Sequence, residues 1–380
     1  MSVVRHIITG EFPPAIGGVA DYTAAVAEAL TDAGEEVHVW SGGDDRAPRS
    51  HGGVTVHRAL GTFDWSSLAA ADADFDRFAA PRRLLLQWVP HAYGRSSLNI
   101  PFCLWIRRRV RRDGDLLDVM VHEPFLPFGG GLKHTAAACV HRLMLGVLLG
   151  AASRVYIPAA AWQELCRPYA RRRTFTWTPV PSGIAVTADD DALQDVRASL
   201  GVAPETTLIG SFGRAGASQR RGLAASMTAL DRDPRRPAAL LLIGAGSDDT
   251  RAAIVSEHPR LAARIQATGA VSPEQVSRCL RACDLLVQPY QDGICGRHSS
   301  AMAGLIHGRP MITTDGDFTE PVWRESGAVS LVPAGNTERL ADAVLALAAD
   351  PSEREALGAR GRALYERCFD VRHTVAALRD

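Results

Sequence analysis

The sequence predicts an α/β protein with two Rossmann-like domains in series, each built around a parallel sheet. Its 380 residues are enough for two domains of ordinary size. Short apolar runs alternate with helical patterns in the first half, and a second alternating series starts after a break near residues 179–183. A 46% apolar and 22% charged composition is typical of a globular chain that can bury a core in each half.

Short apolar runs predict the strands of the first half, and they are His6–Ile8, Val37–Trp40, Leu84–Leu86, Val119–Val121 and Val155–Ile157. Between the first two runs, Val19, Tyr22, Val26 and Leu30 recur at spacings of three and four, which predicts an amphipathic helix that ends near Gly34. The first 40 residues are therefore predicted to form a β-α-β unit.

The domain junction is predicted just after the break, where a polar helical stretch opens at residues 188–191. We predict a first domain over 1–182, a second over 183–365, and a C-terminal helix in 366–380 that crosses back to the first domain. The predicted strands of the second domain are 208–212, 239–243, 265–268, 285–288 and 310–313. Ser272 followed by Pro273 is a typical helix start.

The charge balance and the cysteine content limit the classes of function that this chain can have. Equal numbers of basic and acidic residues, 42 each, argue against binding to long nucleic acids and favour a small, locally held anion. Lys133 is the only lysine, so any phosphate clamp must use arginine. The seven scattered cysteines predict neither disulfides nor a zinc site, and the start of the chain lacks the pattern of a signal peptide. We expect a cytoplasmic protein, and the oligomeric state is not predicted.

The first strand leads into a glycine-containing loop that ends in Gly17 and Gly18, immediately before the predicted helix. Paired glycines let backbone N–H groups approach a ligand, and a helix N-terminus favours negative charge. The alternative is a tight turn without a ligand. The spacing is not that of a dinucleotide fingerprint, which argues against an NAD enzyme.

Two segments of the second half are candidates for anion binding. Gly213 and Arg214 follow a predicted strand, and Arg220 and Arg221 come a few residues later; the alternative is a solvated basic loop. Further on, a strand leads to Asp292, Gly293 and Arg297, and a helix is predicted from about Ser299 to Gly308. Unpaired N–H groups at its start, beside an arginine, favour an anion. His298 is either a further donor or a structural residue.

In their order along nearly the whole chain, these motifs resemble those of the family-four retaining glycosyltransferases, which have the GT-B fold. The motifs are the first glycine loop, Val121–Pro124, Gly213–Arg214 with Arg221–Gly222, Asp292–Gly293 with Met302–Ala303, and Thr313–Thr314 with Glu320. The resemblance implies two Rossmann-like domains whose parallel sheets face a central cleft.

The resemblance also implies roles for individual residues. His122 would contact the donor sugar, and Arg214 and Arg221 would clamp the diphosphate, with Arg221 standing where the family has lysine. Gly17, Gly18, Gly213, Gly293, Arg297, His298 and Ser299 would form the rest of the donor site.

The E-x7-E signature of the family falls on Asp292 and Ser300, so this chain departs from it twice. Asp292 keeps a carboxylate with a shorter reach and is the candidate catalytic carboxylate, with retention either by front-face attack or through a covalent intermediate with Asp292. Ser300 lacks the carboxylate that usually binds the ribose. Arg297 resembles the arginine of a variant subgroup, and Glu320 matches a glutamate that could meet the ribose. The alternative for Glu320 is a carboxylate at a helix start.

The acceptor side is expected to include Trp88, His91, Tyr93 and Glu123, because aromatic side chains stack on sugar faces, although each could instead be core or turn. The stretch from Trp105 to Arg112 is basic and amphipathic. We expect a solvated helix face there rather than contact with an anionic membrane.

The predicted function is transfer of a sugar from a UDP-, GDP- or dTDP-linked donor to a small molecule or glycan, with retention of configuration. No cofactor is expected. No metal is expected either, because arginines can neutralise the leaving diphosphate and no D-x-D-like pair ends a strand. The alternatives are a pseudo-glycosyltransferase or epimerase on the same fold, and an inactive nucleotide-binding relative.

Overall fold

The computed structural model describes residues 3–15, 17–94, 97–170, 172–188, 196–232 and 237–380. The chain divides into two compact units, one of residues 1–179 with 371–380 and the other of residues 180–370. The polar stretch expected at 188–191 lies largely outside the described residues.

The first unit is an eight-stranded sheet with helices. Its strands are β1 (Val4–Ile8), β2 (Glu36–Trp40), β3 (Gly43–His51), β4 (Val54–Gly61), β5 (Arg83–Trp88), β6 (Leu116–Val121), β7 (Arg154–Ile157) and β8 (Phe175–Trp177). Its helices are α1 (Gly18–Asp32), α2 (Trp65–Phe75), α3 (Ile100–Asp113), α4 (Leu132–Ala151) and α5 (Trp162–Cys166). The strand order is β3-β4-β2-β1-β5-β6-β7-β8, and only the β3–β4 pair is antiparallel among the described strands.

The second unit is a six-stranded parallel sheet with helices. Its strands are β9 (Thr207–Phe212), β10 (Ala238–Ile243), β11 (Ile265–Ala267), β12 (Leu285–Gln288), β13 (Met311–Asp315) and β14 (Ser330–Pro333). Its helices are α6 (Ala217–Asp231), α7 (Ser247–Glu257), α8 (Pro273–Ala282), α9 (Ser299–Ile306), α10 (Pro321–Ser326), α11 (Thr337–Ala349) and α12 (Pro351–Cys368). The strand order β11-β10-β9-β12-β13-β14 is that of a Rossmann fold.

The helix starts follow capping chemistry that the sequence carries. The Ser272 hydroxyl accepts from the N–H of Gln275 at 3.3 Å with Pro273 at the first helical position, which confirms the predicted start of α8. Asn99 caps α3 in the same way, accepting from the N–H of Phe102 at 3.0 Å.

The last helix, α13 (Val371–Arg379), belongs to the first unit. Arg5 of β1 forms a buried ion pair with Glu35, at 2.7 Å, and donates a hydrogen bond to the carbonyl of Leu378 at 3.1 Å. The Tyr156 hydroxyl donates to the carbonyl of Ala377, also at 3.1 Å. The first unit is therefore assembled from both ends of the chain.

Candidate functional site

The strand order of the second unit indicates where it can bind a ligand. The chain fills the sheet outward from β9 through β10 to β11, then returns to the other side of β9 with β12. In open α/β sheets, ligands bind at the carboxyl ends of the two strands that flank this reversal. Those strands end at Phe212 and Gln288, so the loops that follow them form the candidate site.

The loop after β9 begins at Gly213, whose φ of +95° favours glycine. A Cβ built on Gly213 would lie 3.9 Å from the Cβ of Ser300, so this loop lies against the first turn of α9. Arg214 follows with an exposed side chain that runs along Gly246, since a Cβ there would come within 2.8 Å of its Nε. The structure thus brings Gly213 to the start of α9, whereas the Arg214 side chain lies toward Gly246 in the loop after β10.

The two arginines of α6 point in different directions. The Arg220 guanidinium turns back to the loop and donates to the carbonyl of Ala215 at 3.1 Å. Arg221 instead lines a groove of about 830 Å³ along α6 and α11, together with Thr228 and Asp342. The expected clamp of Arg214 with Arg221 is therefore corrected: because α6 begins at Ala217, Arg221 falls in its second turn on the outer face. Arg220 is the arginine that reaches the loop.

The loop after β12 is joined by backbone contacts to the loop after β13. The carbonyl of Asp292 accepts from the N–H of Phe318 at 2.9 Å, and Ile294 donates to the carbonyl of Thr314 at 2.8 Å. Gly293 has φ +86°, and a Cβ there would lie 2.4 Å from the N of Gly316. The two loops form one unit that leaves the Asp292 side chain exposed.

Glu320 fixes the end of this loop. Both of its carboxylate oxygens accept from the N–H of Gly296 at 3.2 Å, and Oε2 accepts from Nε1 of Trp323 at 2.9 Å. The side chain is buried. Glu320 therefore has a structural role in the described contacts, holding the segment that leads into α9, and these contacts occupy the carboxylate that was expected to meet a ribose.

His298 and Ser300 are both bound to neighbouring groups. The His298 ring stacks on Tyr290 with centroids 3.7 Å apart, and its Nδ1 accepts from the N–H of Cys295 at 3.1 Å. Burial, together with the nearby charge of Arg297, lowers the pKa of His298 to about 3. The Ser300 hydroxyl hydrogen-bonds the Tyr290 hydroxyl at 2.8 Å. His298 is thus a neutral structural residue.

The helix α9 begins at Ser299, as predicted, with His298 as its N-cap and no side-chain cap. The N–H of Ala301 donates to the carbonyl of His298 at 3.0 Å, and among the described residues no side chain caps the N–H groups of Ser299 and Ser300.

Arg297 lies two residues before Ser299 with its side chain beside Cys295, and Gly213 is adjacent to the helix start. Arg214 and Arg297 belong to the loops that follow β9 and β12, and the start of α9 lies against the first of these loops. Arginines and helix N-termini are groups that bind phosphate.

In the first unit, His122 lies at the end of β6 in a buried position. Its Nε2 donates to Oε1 of the buried Gln87 at 2.7 Å, and its ring meets the edge of Tyr22 with centroids 4.7 Å apart. Burial lowers the pKa of His122 to about 3. A neutral imidazole with a fixed tautomer is the result. Gln87 was not singled out in the sequence, because a glutamine inside an apolar strand carries no motif.

Two of the expected acceptor residues lie in the core. Trp88 and Tyr93 are fully buried and stack on each other with centroids 5.9 Å apart. Trp88 donates to the carbonyl of Pro124 at 3.1 Å, and Tyr93 donates to the carbonyl of Gln87. Their polar groups are satisfied inside the unit, so they are corrected from acceptor lining to core. His91 and Glu123 are exposed.

The start of α1 was expected to offer its backbone N–H groups to an anionic ligand, and a side chain of the protein already lies there. The carboxylate of Glu11 accepts from the N–H of Ala20 at 3.3 Å, and a Cβ on Gly17 would lie 2.4 Å from it. A negative group from the protein therefore already lies beside Gly17 and Gly18 at this helix N-terminus. An anionic ligand there would have to displace Glu11.

The basic stretch on α3 is not a simple solvated face. Arg109 is buried and contacts the carboxylates of Asp72, Asp76 and Asp113. Arg82 joins the same network through Asp115, at 3.1 Å. Part of the positive charge of α3 is therefore neutralised by ion pairs that hold α2 and α3 together.

Comparison with known proteins agrees with this architecture. Each unit has the α/β organisation of a GT-B protein, and solved GT-B structures superpose on nearly the whole chain. Sucrose-phosphate synthase from Thermosynechococcus elongatus is 16% identical, with a TM-score of 0.76 over 100% of this chain and 97% of its own. At such identity the likeness establishes the fold, which is GT-B.

Two further structures give similar values. HepE from Anabaena, in complex with UDP and glucose, is 14% identical with a TM-score of 0.71 over 99% of this chain and 98% of its own. A UDP-forming trehalose-phosphate synthase from Burkholderia xenovorans, in complex with glucose-6-phosphate, is 14% identical with a TM-score of 0.69 over 99% of both chains.

Residues 206–350 match the family model described as Glycosyl transferases group 1. This segment runs from the residue before β9 to the end of α11, so it contains both loops of the candidate site. No curated protein sequence matches the chain.

Proposed function

We propose that the protein is a glycosyltransferase that uses a nucleotide-sugar donor and transfers the sugar to a small molecule or glycan in the cytoplasm. The observation that carries the proposal is the position of the candidate site within residues 206–350, the segment that matches the group 1 glycosyl transferases. Arg214, Arg297 and the first turn of α9 lie around the ends of β9 and β12 in that segment.

The proposed chemistry follows from charge. Cleaving the bond between a sugar and a nucleoside diphosphate develops negative charge on the leaving diphosphate. Fixed positive groups that meet this charge lower the barrier. We assign Arg214, Arg220 and Arg297, with the N–H groups of α9, to the diphosphate, and no metal ion is needed in this scheme.

His122 and Asp292 are assigned to the donor sugar by resemblance. His122 is neutral, and because its Nε2–H is donated to Gln87 it would accept a hydrogen bond through Nδ1 rather than supply charge. Asp292 has an exposed carboxylate that could bind sugar hydroxyls. We further propose retention of the anomeric configuration, which the resemblance implies.

A thermal-shift screen of UDP-, GDP-, ADP- and dTDP-sugars tests donor binding. UDP-glucose comes first, because HepE was solved with UDP and glucose. A donor at a hundred times its Kd should raise the melting temperature by roughly 5 °C. Replacing Arg214 or Arg297 by alanine should remove most of that shift, whereas Arg232→Ala, at the far end of α6, should leave it intact.

Turnover then tests the reaction itself. Transfer or slow hydrolysis of the bound donor is expected, with kcat roughly 10²- to 10³-fold lower in Arg297→Ala. NMR of the product gives its anomeric configuration. Absence of a shift with all four donors would overturn the proposal, and binding without transfer or hydrolysis would instead identify an inactive nucleotide-binding protein.

A further inference from the structure

The outer face of α4 is apolar along its whole length. Leu132, Ala136, Cys139, Leu143 and Gly150 recur at spacings of three, four and seven, so they form one stripe, and all five are exposed. The opposite side of the helix, which includes Leu145 and Leu149, is buried. A surface helix normally places charged residues on its outer face. This helix is apolar on both sides although one side is open.

Exposed apolar side chains are concentrated here. Leu132 is 91% exposed, Phe128 is 59% exposed and Leu143 is 54% exposed. Among the described residues, ten large apolar side chains are exposed, and five of them lie on or beside α3 and α4. Those five are Leu98, Leu104, Phe128, Leu132 and Leu143. Such a concentration marks an interaction surface rather than scattered surface residues.

The neighbouring helix α3 adds positive charge to this surface. α3 and α4 pack side by side, and His141 of α4 hydrogen-bonds the carbonyl of Ser97 at 2.9 Å. Leu104, Arg108 and Arg111 are exposed on α3 at spacings of four and three, and Arg108 is also paired with Asp72 of α2 at 3.6 Å. Lys133 is exposed at the start of α4.

Negative charge is nearly absent from the same segments. Residues 125–151 contain no aspartate or glutamate, and residues 98–113 contain one, Asp113. Arg112 binds Asp113 at 2.6 Å, so that carboxylate is neutralised. The surface defined by the outer faces of α3 and α4, which we call the α3–α4 face, is therefore both apolar and basic.

We propose that the α3–α4 face binds the surface of an anionic lipid bilayer. Apolar side chains flanked by arginine and lysine are the combination that inserts at the headgroup boundary and attracts anionic lipid. A second copy of the chain fits poorly, because two identical basic faces would repel each other. Helix α4 is also long and apolar enough to cross a membrane. Its buried side packs within the first unit, so it lies on the bilayer rather than across it.

Co-sedimentation with vesicles tests the proposal directly. The full chain should pellet with vesicles of equal parts phosphatidylcholine and phosphatidylglycerol, and remain in solution with phosphatidylcholine alone. Binding should weaken as salt rises, because screening reduces the electrostatic part. The double substitution Arg108→Gln with Arg111→Gln should lower partitioning roughly thirtyfold, and Leu132→Ser with Leu143→Ser should lower it by at least tenfold.

The matched control is Val3→Ser with Arg49→Gln, an exposed apolar residue just before β1 and an exposed arginine on the edge strand β3 of the same unit. It should bind vesicles like the unchanged protein. Melting temperatures of all variants establish that they fold. The proposal fails if the protein does not pellet with the anionic vesicles at low salt, or if the control weakens binding as much as the two test variants. It also fails if light scattering shows a dimer that Leu132→Ser with Leu143→Ser dissociates.

Discussion

His122 is held in one tautomer by a side chain that no motif marks. The carbonyl oxygen of Gln87 accepts from Nε2, so the proton resides on that nitrogen and Nδ1 carries the lone pair. The surrounding core lowers the pKa of His122 to about 3, because a buried imidazolium would lose its hydration. The group therefore stays neutral across the physiological range.

We predict that Gln87→Glu raises the pKa of His122, because a carboxylate 2.7 Å from Nε2 would stabilise the imidazolium. NMR titration of the His122 ring protons and nitrogens measures the change, and the shift should exceed one pKa unit. Gln163→Glu, on α5, serves as the control and should leave the titration as it is. An unchanged His122 titration in Gln87→Glu would show that the hydrogen bond does not set the charge of the ring.

For single residues, the sequence predicts which side chains lie near the site better than it predicts the direction in which each side chain points. Arg214 and Arg297 follow the ends of strands, and position after a parallel strand places a residue at the binding edge of a sheet. The direction of Arg221 depends on where α6 begins, and one residue shifts a side chain by about 100° around a helix. Trp88 and Tyr93 stack within the core, which only tertiary packing could reveal.

Among the elements, the loop between β12 and α9 depends most on a single glycine. Gly293 has φ +86°, and a Cβ there would lie 2.2 Å from Oγ1 of Thr319. Gly293→Ala should therefore destabilise the second unit by more than the roughly 1 kcal/mol that a positive φ alone costs an alanine. Gly327→Ala isolates the conformational term, since its φ is +58° and nothing lies within 4 Å.

Urea unfolding of the two variants gives the comparison. Gly293→Ala is expected to lose at least about 2 kcal/mol and to reduce donor binding, whereas Gly327→Ala loses about 1 kcal/mol. Equal losses would indicate that the β12 loop can move away from its neighbour.

The contact between Glu320 and Gly296 is predicted to matter as much as the arginines for donor binding. Glu320→Gln replaces one acceptor oxygen by an amide that faces the N–H of Gly296, so the segment before α9 should shift. We expect a loss of about 1–3 kcal/mol in stability and a smaller thermal shift with donor. Glu325→Gln, exposed on helix α10, should change neither quantity. A thermal shift with donor that is unchanged in Glu320→Gln would show that the contact between Glu320 and Gly296 is not needed for donor binding.

The buried parallel strands are the elements that the sequence predicts well. The continuous apolar run Leu84–Leu86 predicts a strand, because strands covered on both faces are apolar on both faces. The structure confirms it as β5. The apolar pattern does not predict β3, β4, β8 or β14. The strand β3 reads GDDRAPRSH and has no apolar pattern; it exists because it pairs with β4 across the turn at Gly52 and Gly53.

For the whole molecule, acid sensitivity should follow from its buried histidines. Burial lowers their pKa values to about 3 or 4 in the fold, against about 6.5 in an unfolded chain; they include His6, His57, His122, His298 and His307. Between about pH 4 and pH 6.5, these histidines are therefore protonated in the unfolded chain and neutral in the folded chain. This contribution to stability is complete above about pH 6.5 and is lost as the pH falls toward 4.

Each such histidine should cost about 2 kcal/mol at pH 5 relative to pH 7. Melting temperatures recorded between pH 7 and pH 4.5 measure the slope, and His122→Gln should make it shallower. His258→Gln is the control, because that histidine is exposed. A flat profile above pH 5 would mean that the imidazoles are hydrated in solution.

Removing residues 371–380 should unfold the first unit selectively. Without α13, Arg5 loses the carbonyl of Leu378 while remaining paired with Glu35 in a buried setting. We expect a fall of at least 5 °C in the melting of the first unit. The thermal shift that donor causes in the second unit should persist. Two separate melting transitions in calorimetry would resolve these effects, and an unchanged first transition would contradict the prediction.

The placement of α13 has a consequence for synthesis on the ribosome. The second unit is one continuous stretch, 180–370, and all of its strands have been made before residues 371–380 are added. The first unit has its whole sheet earlier but lacks α13 until those residues are made. The unit whose sheet is made first is thus completed after the other, and a nascent chain halted before residue 371 would expose Arg5 and its surroundings to chaperones.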